Sequence, residues 1–122
     1  MPNPVSYFEI PVADMARAAH FYETVFDIDL ELQTIDGYEM ALFPFEPGAV
    51  GATGALAKGD VYVPAKTGPV VYFHTDDIDA VLGRATANGG KILYGKKDVG
   101  AFGSVAEFED SEGNRIALHT PK

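Results

Sequence analysis

The sequence predicts an α+β fold of two tandem βαβββ modules. Three observations carry this reading. A strand pattern, an amphipathic helix and three further strand patterns occur in order, that order repeats, and the two opening strands share letters in register. Val5-Ser6-Tyr7-Phe8-Glu9 and Val70-Val71-Tyr72-Phe73-His74 have Val, Tyr and Phe in common, and each leads to an Asp-headed helix, at Asp14-Met15 and Asp77-Ile78. One βαβββ unit buries a single sheet face, so two must pack together to make a stable body. Module one falls at about residues 4–58 and module two at about 69–120, within one domain covering 1–122.

The first strand is expected over Val5–Ile10, after which Pro11 interrupts and Asp14 caps a helix. Met15, Ala18, Ala19, Tyr22, Val25 and Phe26 recur at three- and four-residue steps and mark its apolar face, which ends near Asp27. Leu30–Gln33 and Tyr38–Phe43 read as strands about an Asp36-Gly37 turn. Gly51–Lys58 follows with the weakest strand pattern, and Gly59, Pro64, Gly68 and Pro69 mark a linker. Val70–His74 opens the second module. Its helix places Ile78, Val81, Leu82 and Ala85 on one face and stops at Asn88-Gly89-Gly90. Lys91–Tyr94, Ser104–Phe108 and Arg115–His119 complete it, the last two joined by a tight turn at Asp110–Asn114.

Composition narrows the chemistry. With 122 residues and 47% of them hydrophobic, the chain can bury about two thirds of its unfolded surface without staples. The absence of cysteine removes thiol catalysis, thiolate zinc sites and iron–sulfur clusters together, so any metal must be held by His, Asp or Glu. A formal charge of −9 repels a phosphate backbone, which argues against a nucleic-acid partner. Met1–Val5 carries no signal-like region and no apolar run approaches the roughly 20 residues that span a bilayer, so no membrane partner is expected. A cytoplasmic location is the expectation.

The doubled unit, with Glu9-Ile10-Pro11-Val12-x-Asp14-Met15 and Phe21-Tyr22 in its first half, resembles the vicinal oxygen chelate superfamily. In the second half Asp76-Asp77-Ile78-Asp79, Asn88-Gly89-Gly90-Lys91 and Asp110-x-Glu112-Gly113-Asn114-Arg115-Ile116 extend the likeness to nearly the whole chain. That superfamily includes glyoxalase I, extradiol dioxygenases and bleomycin-resistance proteins, and the chain looks most like its small glyoxalase-related members. The resemblance implies metal ligands from the first and last strand of each half. Carried over residue by residue, those positions fall on Tyr7, Val70 and Ala117, with the Gly54-Ala55-Leu56 region in place of the remaining ligand. Alkyl side chains cannot coordinate a divalent cation and a lone phenol is a poor ligand, so the inherited metal is not expected, which weighs against glyoxalase I activity.

Residues two apart on a strand face the same way. Glu9 therefore shares a face with Tyr7, His74 with Tyr72, and His119 with Ala117. Two histidines and a carboxylate with open positions are a known metal set, so Glu9, His74 and His119 form a displaced alternative site for a divalent cation or for metal-free acid–base work. Each also has a plainer reading: Glu9 as a carboxylate paired with backbone or a tyrosine, His74 as a satisfied core residue, His119 as the end of the last strand. The resemblance implies curved mixed sheets that surround a cup; Tyr7, Tyr72, Phe43 and Phe108 are candidate aromatic walls for it, with plain core packing as their other reading, and Phe102, between Gly100 and Gly103, is a candidate lid. His20 belongs on the outer helix face, and Lys91, Lys96 and Lys97 on a solvated edge. The leading expectation is a homodimeric small-molecule-binding protein with no cofactor. The rival is a lyase, isomerase or dioxygenase using Glu9, His74 and His119, and a third reading puts function on the dimer surface alone.

Overall fold

The computed structural model describes residues 3–122, so the opening Met1-Pro2 of the sequence lies outside the described residues. Module one comprises β1 (Tyr7–Val12), α1 (Met15–Phe26), β2 (Glu31–Ile35), β3 (Tyr38–Leu42) and β4 (Thr53–Lys58). Module two comprises β5 (Val71–His74), α2 (Ile78–Ala87), β6 (Lys91–Asp98), β7 (Ser104–Glu109) and β8 (Arg115–Thr120). The strands form two mixed sheets of four, ordered β1-β4-β3-β2 and β5-β8-β7-β6. The tandem βαβββ reading holds. Both helices start where the Asp caps place them: Asp14 accepts from the Arg17 backbone N–H at 3.0 Å and Asp77 from that of Ala80 at 3.1 Å.

Three strands depart from the sequence expectation, each for a packing reason. β1 continues through Pro11 because it is an edge strand paired on one side only with β4. The Pro11 carbonyl points to the free edge and accepts from Asn114 Nδ2 at 2.7 Å, so the missing N–H on that side costs no ladder bond. β6 runs four residues past Tyr94, sustained by antiparallel pairing to β7 with register shifts on either side of Tyr94. β4 is weak in the sequence because packing requires small residues. It is central, lying between β1 and β3, and a Cβ at Gly54 would sit 2.1 Å from the Phe8 carbonyl oxygen.

One face of each sheet carries its helix, and the two helix-side faces merge into a single core. Ile10, Val12, Phe21, Tyr22, Val25 and Leu56 of module one share it with Ile78, Leu82, Phe108, Ile116 and Leu118 of module two. Aromatic contacts cross the module boundary: Phe26 to Phe73 at 4.5 Å between ring centroids, Tyr22 to Phe73 at 6.2 Å and Phe21 to Phe108 at 6.1 Å. β1 and β5 are both edge strands and meet through side chains, with the Phe8 and Phe73 rings 5.8 Å apart.

Polar contacts from the β7–β8 turn lock the modules. The Tyr22 hydroxyl, fully buried, donates to Asp110 Oδ2 at 2.6 Å; burial and the Asp110 charge push this phenol well above its ordinary range. Asp110 Oδ1 accepts from the backbone N–H of Glu112 and of Asn114, and Asn114 Oδ1 accepts from the Ala65 N–H of the linker. Glu112 reaches back to module one. Its side chain, 0% exposed, accepts from the Ala13 and Asp14 N–H groups at 2.8 Å each and from Arg17 Nε at 2.7 Å. Burial alone raises its carboxyl, but the bonds from Arg17, Asp14, Ala13 and Ser111 outweigh that and hold it at about 2.

Glu112 therefore binds fewer protons folded than unfolded, and the stability it contributes is present above pH 4.5 and lost as pH falls towards 2. In urea melts across that interval, Glu112→Gln is expected to flatten the acid-side slope and to cost about 2 kcal/mol at neutral pH. Tyr22→Phe, measured the same way, is expected to cost about 1.5–3 kcal/mol through the lost bond to Asp110. An acid slope unchanged by Glu112→Gln would show that another carboxylate governs it.

Candidate functional site

Strand alternation gives each sheet a second face, turned away from the helices. On sheet one this open face carries Tyr7 and Glu9 from β1, Tyr38 and Met40 from β3, and Ala55 and Ala57 from β4. The register fixes the grouping, with Glu9 opposite Ala55 and Met40 opposite Ala57. On sheet two it carries Tyr72, His74, Ala117, His119, Val105 and Glu107; Tyr72 lies opposite Ala117, His74 opposite His119, and His119 opposite Val105. Because Tyr72 faces Ala117, it and not Val70 is the second module's counterpart of Tyr7. Val70 precedes β5.

On sheet one, Glu9 is gripped by two phenols. The Tyr7 hydroxyl donates to Oε2 at 3.0 Å and the Tyr62 hydroxyl to Oε1 at 2.8 Å. Burial and Glu9 raise Tyr7, and the bond to Glu9 pushes Tyr62 up to about 12, so both remain donors at neutral pH. On sheet two, His119 Nε2 lies 2.6 Å from the Phe102 carbonyl oxygen, and the two rings stack at 4.2 Å. A carbonyl only accepts, so Nε2 carries a proton and donates it in this contact. His74 Nε2 stands 3.7 Å from Asp76 Oδ1 at the solvent edge, and Arg115 makes a two-pronged bond to Glu107 at 2.8 Å on each side.

The sequence candidates thus separate. His74 and His119 are cross-strand neighbours, while Glu9 lies on the other sheet with tyrosines as its partners. Among the described residues, no three His, Asp or Glu side chains converge where a cation could be held. The family's metal positions fit no better: Tyr7 is committed to Glu9, and Ala55, Leu56 and Ala117 are buried alkyl groups. Tyr7 and Tyr72, 47% and 49% exposed, stand on the open faces as expected, and Phe102, 61% exposed, caps His119. Phe108 is a correction. It is 0% exposed on the helix side, packed against Phe21 and Phe26, and cannot wall a cup. Even-numbered β7 positions Ala106 and Phe108 both face the helices, and Glu107 faces outward. His20 and the three lysines of β6 are exposed as expected.

Sequence reasoning missed Tyr62, Tyr38 and the Arg115–Glu107 pair. Tyr62 sits in an aperiodic linker, where no pattern announces which face it will cover. Two clefts open along the β1–β5 seam. One, of about 320 Å³, is lined by Glu9, Pro11, Val63, Val71, Asn114 and Arg115. The other, of about 430 Å³, lies among Phe8, Phe43, Val50, Tyr72, Phe73 and His74. Among the described residues no helix is long and apolar enough to cross a membrane.

The sequence profile of the Glyoxalase/Bleomycin resistance protein/Dioxygenase superfamily matches residues 5–118. A glyoxylase-like domain-containing protein from Didymella fabae is 32% identical over 120 residues, spanning 95% of this chain and 92% of that protein. Other curated relatives are longer, and the chain spans 44% to 46% of them. Among solved structures, TnmS3, an antibiotic binding protein from Streptomyces sp. CB03234, superposes with a TM-score of 0.68 at 25% identity, covering 99% of this chain and 98% of that one. The fosfomycin resistance protein FosX from Listeria monocytogenes shares the fold with a TM-score of 0.75 at 18% identity, covering 100% and 94%.

The placement of the two phenylalanines sets opposite expectations for their removal. Phe108→Ala should cost about 3–5 kcal/mol in a urea melt because it empties the shared core. Phe102→Ala should change stability by about 0.5 kcal/mol or less. Equal costs would contradict the assignment of one ring to the core and the other to the open face.

Proposed function

The chain belongs to the Glyoxalase/Bleomycin resistance protein/Dioxygenase superfamily, and from that premise we propose that it is a homodimeric small-molecule-binding protein without the inherited metal. The ligand lies between the open face of sheet one on one copy and that of sheet two on the other. The observation that carries this is the pair of uncovered aromatic faces. Tyr7 and Tyr72 stand half exposed on different sheets, the helices occupy the opposite sides, and every residue of β6 is exposed. A single chain buries its helix faces in one core and leaves both open faces to a partner. Phenols, imidazoles and the Phe102 ring supply walls, and the charge of −9 disfavours anionic ligands. TnmS3, an antibiotic binding protein of the same fold, is consistent with a binding role.

The bond that orients His119 favours a second reading. His119 lies opposite His74 across the β5–β8 ladder, and pairing of two copies would set Glu9 of one against this histidine pair of the other. Glu9 would then exchange a proton with the ligand while His119, held by the Phe102 carbonyl, accepts one at Nδ1.

Light scattering is expected to give a mass about twice 13.1 kDa. A mass that stays at 13.1 kDa at every concentration tested would remove the two-copy cup. Metal analysis of untagged protein tests the metal-free character that both readings share. Stoichiometric Zn, Ni, Mn or Fe that disappears in Glu9→Gln and His74→Ala would replace the metal-free binding protein with the displaced-site enzyme.

A further inference from the structure

The linker folds a tyrosine over the open face of sheet one, and the group it completes has a definite chemical character. We propose that Tyr7, Glu9, Tyr38 and Tyr62 form a corner that recognises an alkylated ammonium group on the ligand. The inference rests on the reading of this face as ligand-binding and names the class of ligand it takes.

Four observations converge. The rings of Tyr38 and Tyr62 stand at 89° with centroids 5.3 Å apart, two aromatic walls meeting at a right angle. Each oxygen of Glu9 accepts from a different phenol, so the carboxylate is held in one place and one orientation. Glu9 enters none of the ion pairs formed among the described residues, which leaves an oriented anion beside π faces with no cation of its own. The tyrosines rest on Met40, Ala55 and Ala57, buried side chains that offer an N–H donor no strong acceptor, so the floor beneath the corner is apolar. A cation without N–H donors is attracted both by the ring quadrupoles and by the carboxylate, and it does not need the hydrogen bonds that this floor lacks.

The backbone is shaped to hold the walls. A Cβ at Gly59 would lie 2.3 Å from two Tyr38 ring atoms, so the ring rests directly on glycine backbone. The Tyr62 N–H donates to the Gly59 carbonyl at 3.0 Å, and the resulting turn aims Tyr62 back at Glu9. The cleft of about 320 Å³ that starts at Glu9 has an apolar side along Pro11, Val63 and Val71 and a polar side at Asn114 and Arg115, which gives room for the remainder of the ligand.

The probe is choline, compared with 3,3-dimethylbutan-1-ol, which has the same shape without the charge. Binding is followed by calorimetry and by the ring NMR signals of Tyr38 and Tyr62, with light scattering on the same samples. Choline is expected to shift both tyrosines saturably and to bind about tenfold more tightly than the neutral alcohol. Glu9→Gln should reduce that preference several-fold and leave the part that the rings supply. Gly59→Ala should weaken choline by a similar factor, because it displaces the Tyr38 ring and leaves the carboxylate untouched. Equal binding of the two probes, or a choline preference left undiminished by Glu9→Gln, would overturn the proposal. A dimer with no preference for choline defeats this inference alone. A monomer that still prefers choline defeats the two-copy cup and leaves the corner standing.

Discussion

The structure depends on one turn. Asp110, Glu112 and Asn114 project from the β7–β8 hairpin of the second module and bind groups that belong to the first. Tyr22 of α1, the Pro11 carbonyl of β1 and the N–H groups of Ala13 and Asp14 are all satisfied from this one place. The Tyr22 bond is buried and the Pro11 carbonyl partly so, and a buried polar group without its partner costs about 1–3 kcal/mol. The requirement is mutual, since Asp110 needs the Tyr22 hydroxyl as much as the hydroxyl needs a charge to meet. Hydrophobic burial brings the modules together without specifying an angle. The turn specifies it, because its donors and acceptors are matched only in one relative placement. It also places a carboxylate at the start of α1, where the helix dipole favours negative charge.

How much of this was legible in the sequence follows from which forces are local. The repeat, both Asp caps, the helix faces and the hairpin turns are set by spacing within a few residues, and they are observed where the spacing puts them. β4 was faint because its Gly and Ala residues answer to neighbours that are distant in sequence, such as the Phe8 carbonyl beneath Gly54. Pro11 read as a breaker because a sequence does not reveal that its strand has a free edge. Phe108 was assigned to the wrong face because a strand residue is inward or outward according to a parity that only pairing settles. Its neighbour Glu107, opposite Ala117, is the one that faces out. For the candidate site, the tyrosine alternative for Glu9 was open from the residues, but neither Tyr62 nor Tyr38 could be connected to it without the path of the linker.

Alternation has a further consequence for function. Each strand serves two masters, the shared core on one side and the open face on the other, with the residues interleaved one by one. Phe8, Ile10 and Val12 hold the core while Tyr7 and Glu9 stand free. Phe73 holds it while Tyr72 and His74 stand free. Chemistry on the open face can therefore change with little effect on the shared core, whose packing lies on the opposite side, while only the small cluster of Met40, Ala55 and Ala57 is buried on the open face itself. That separation explains how a chain can keep the fold of metal-dependent proteins and carry Ala117 and Ala55 at positions where the resemblance would place ligands.

The two open faces have become different although the modules repeat. Glu9 and His74 occupy equivalent places, and so do Tyr7 and Tyr72, yet the first sheet presents a carboxylate fixed by phenols and the second presents imidazoles beside a guanidinium–carboxylate pair. Identical faces would make two identical half-sites, able only to recognise a symmetric ligand or to bind each half alike. Unlike faces allow one ligand to be read at two ends by different chemistry. In the proposed dimer, two copies opposing such faces about a twofold axis would repeat the same unlike pair, giving two equivalent sites that each draw on both modules. The internal duplication then supplies the scaffold, and the divergence between its halves supplies the selectivity.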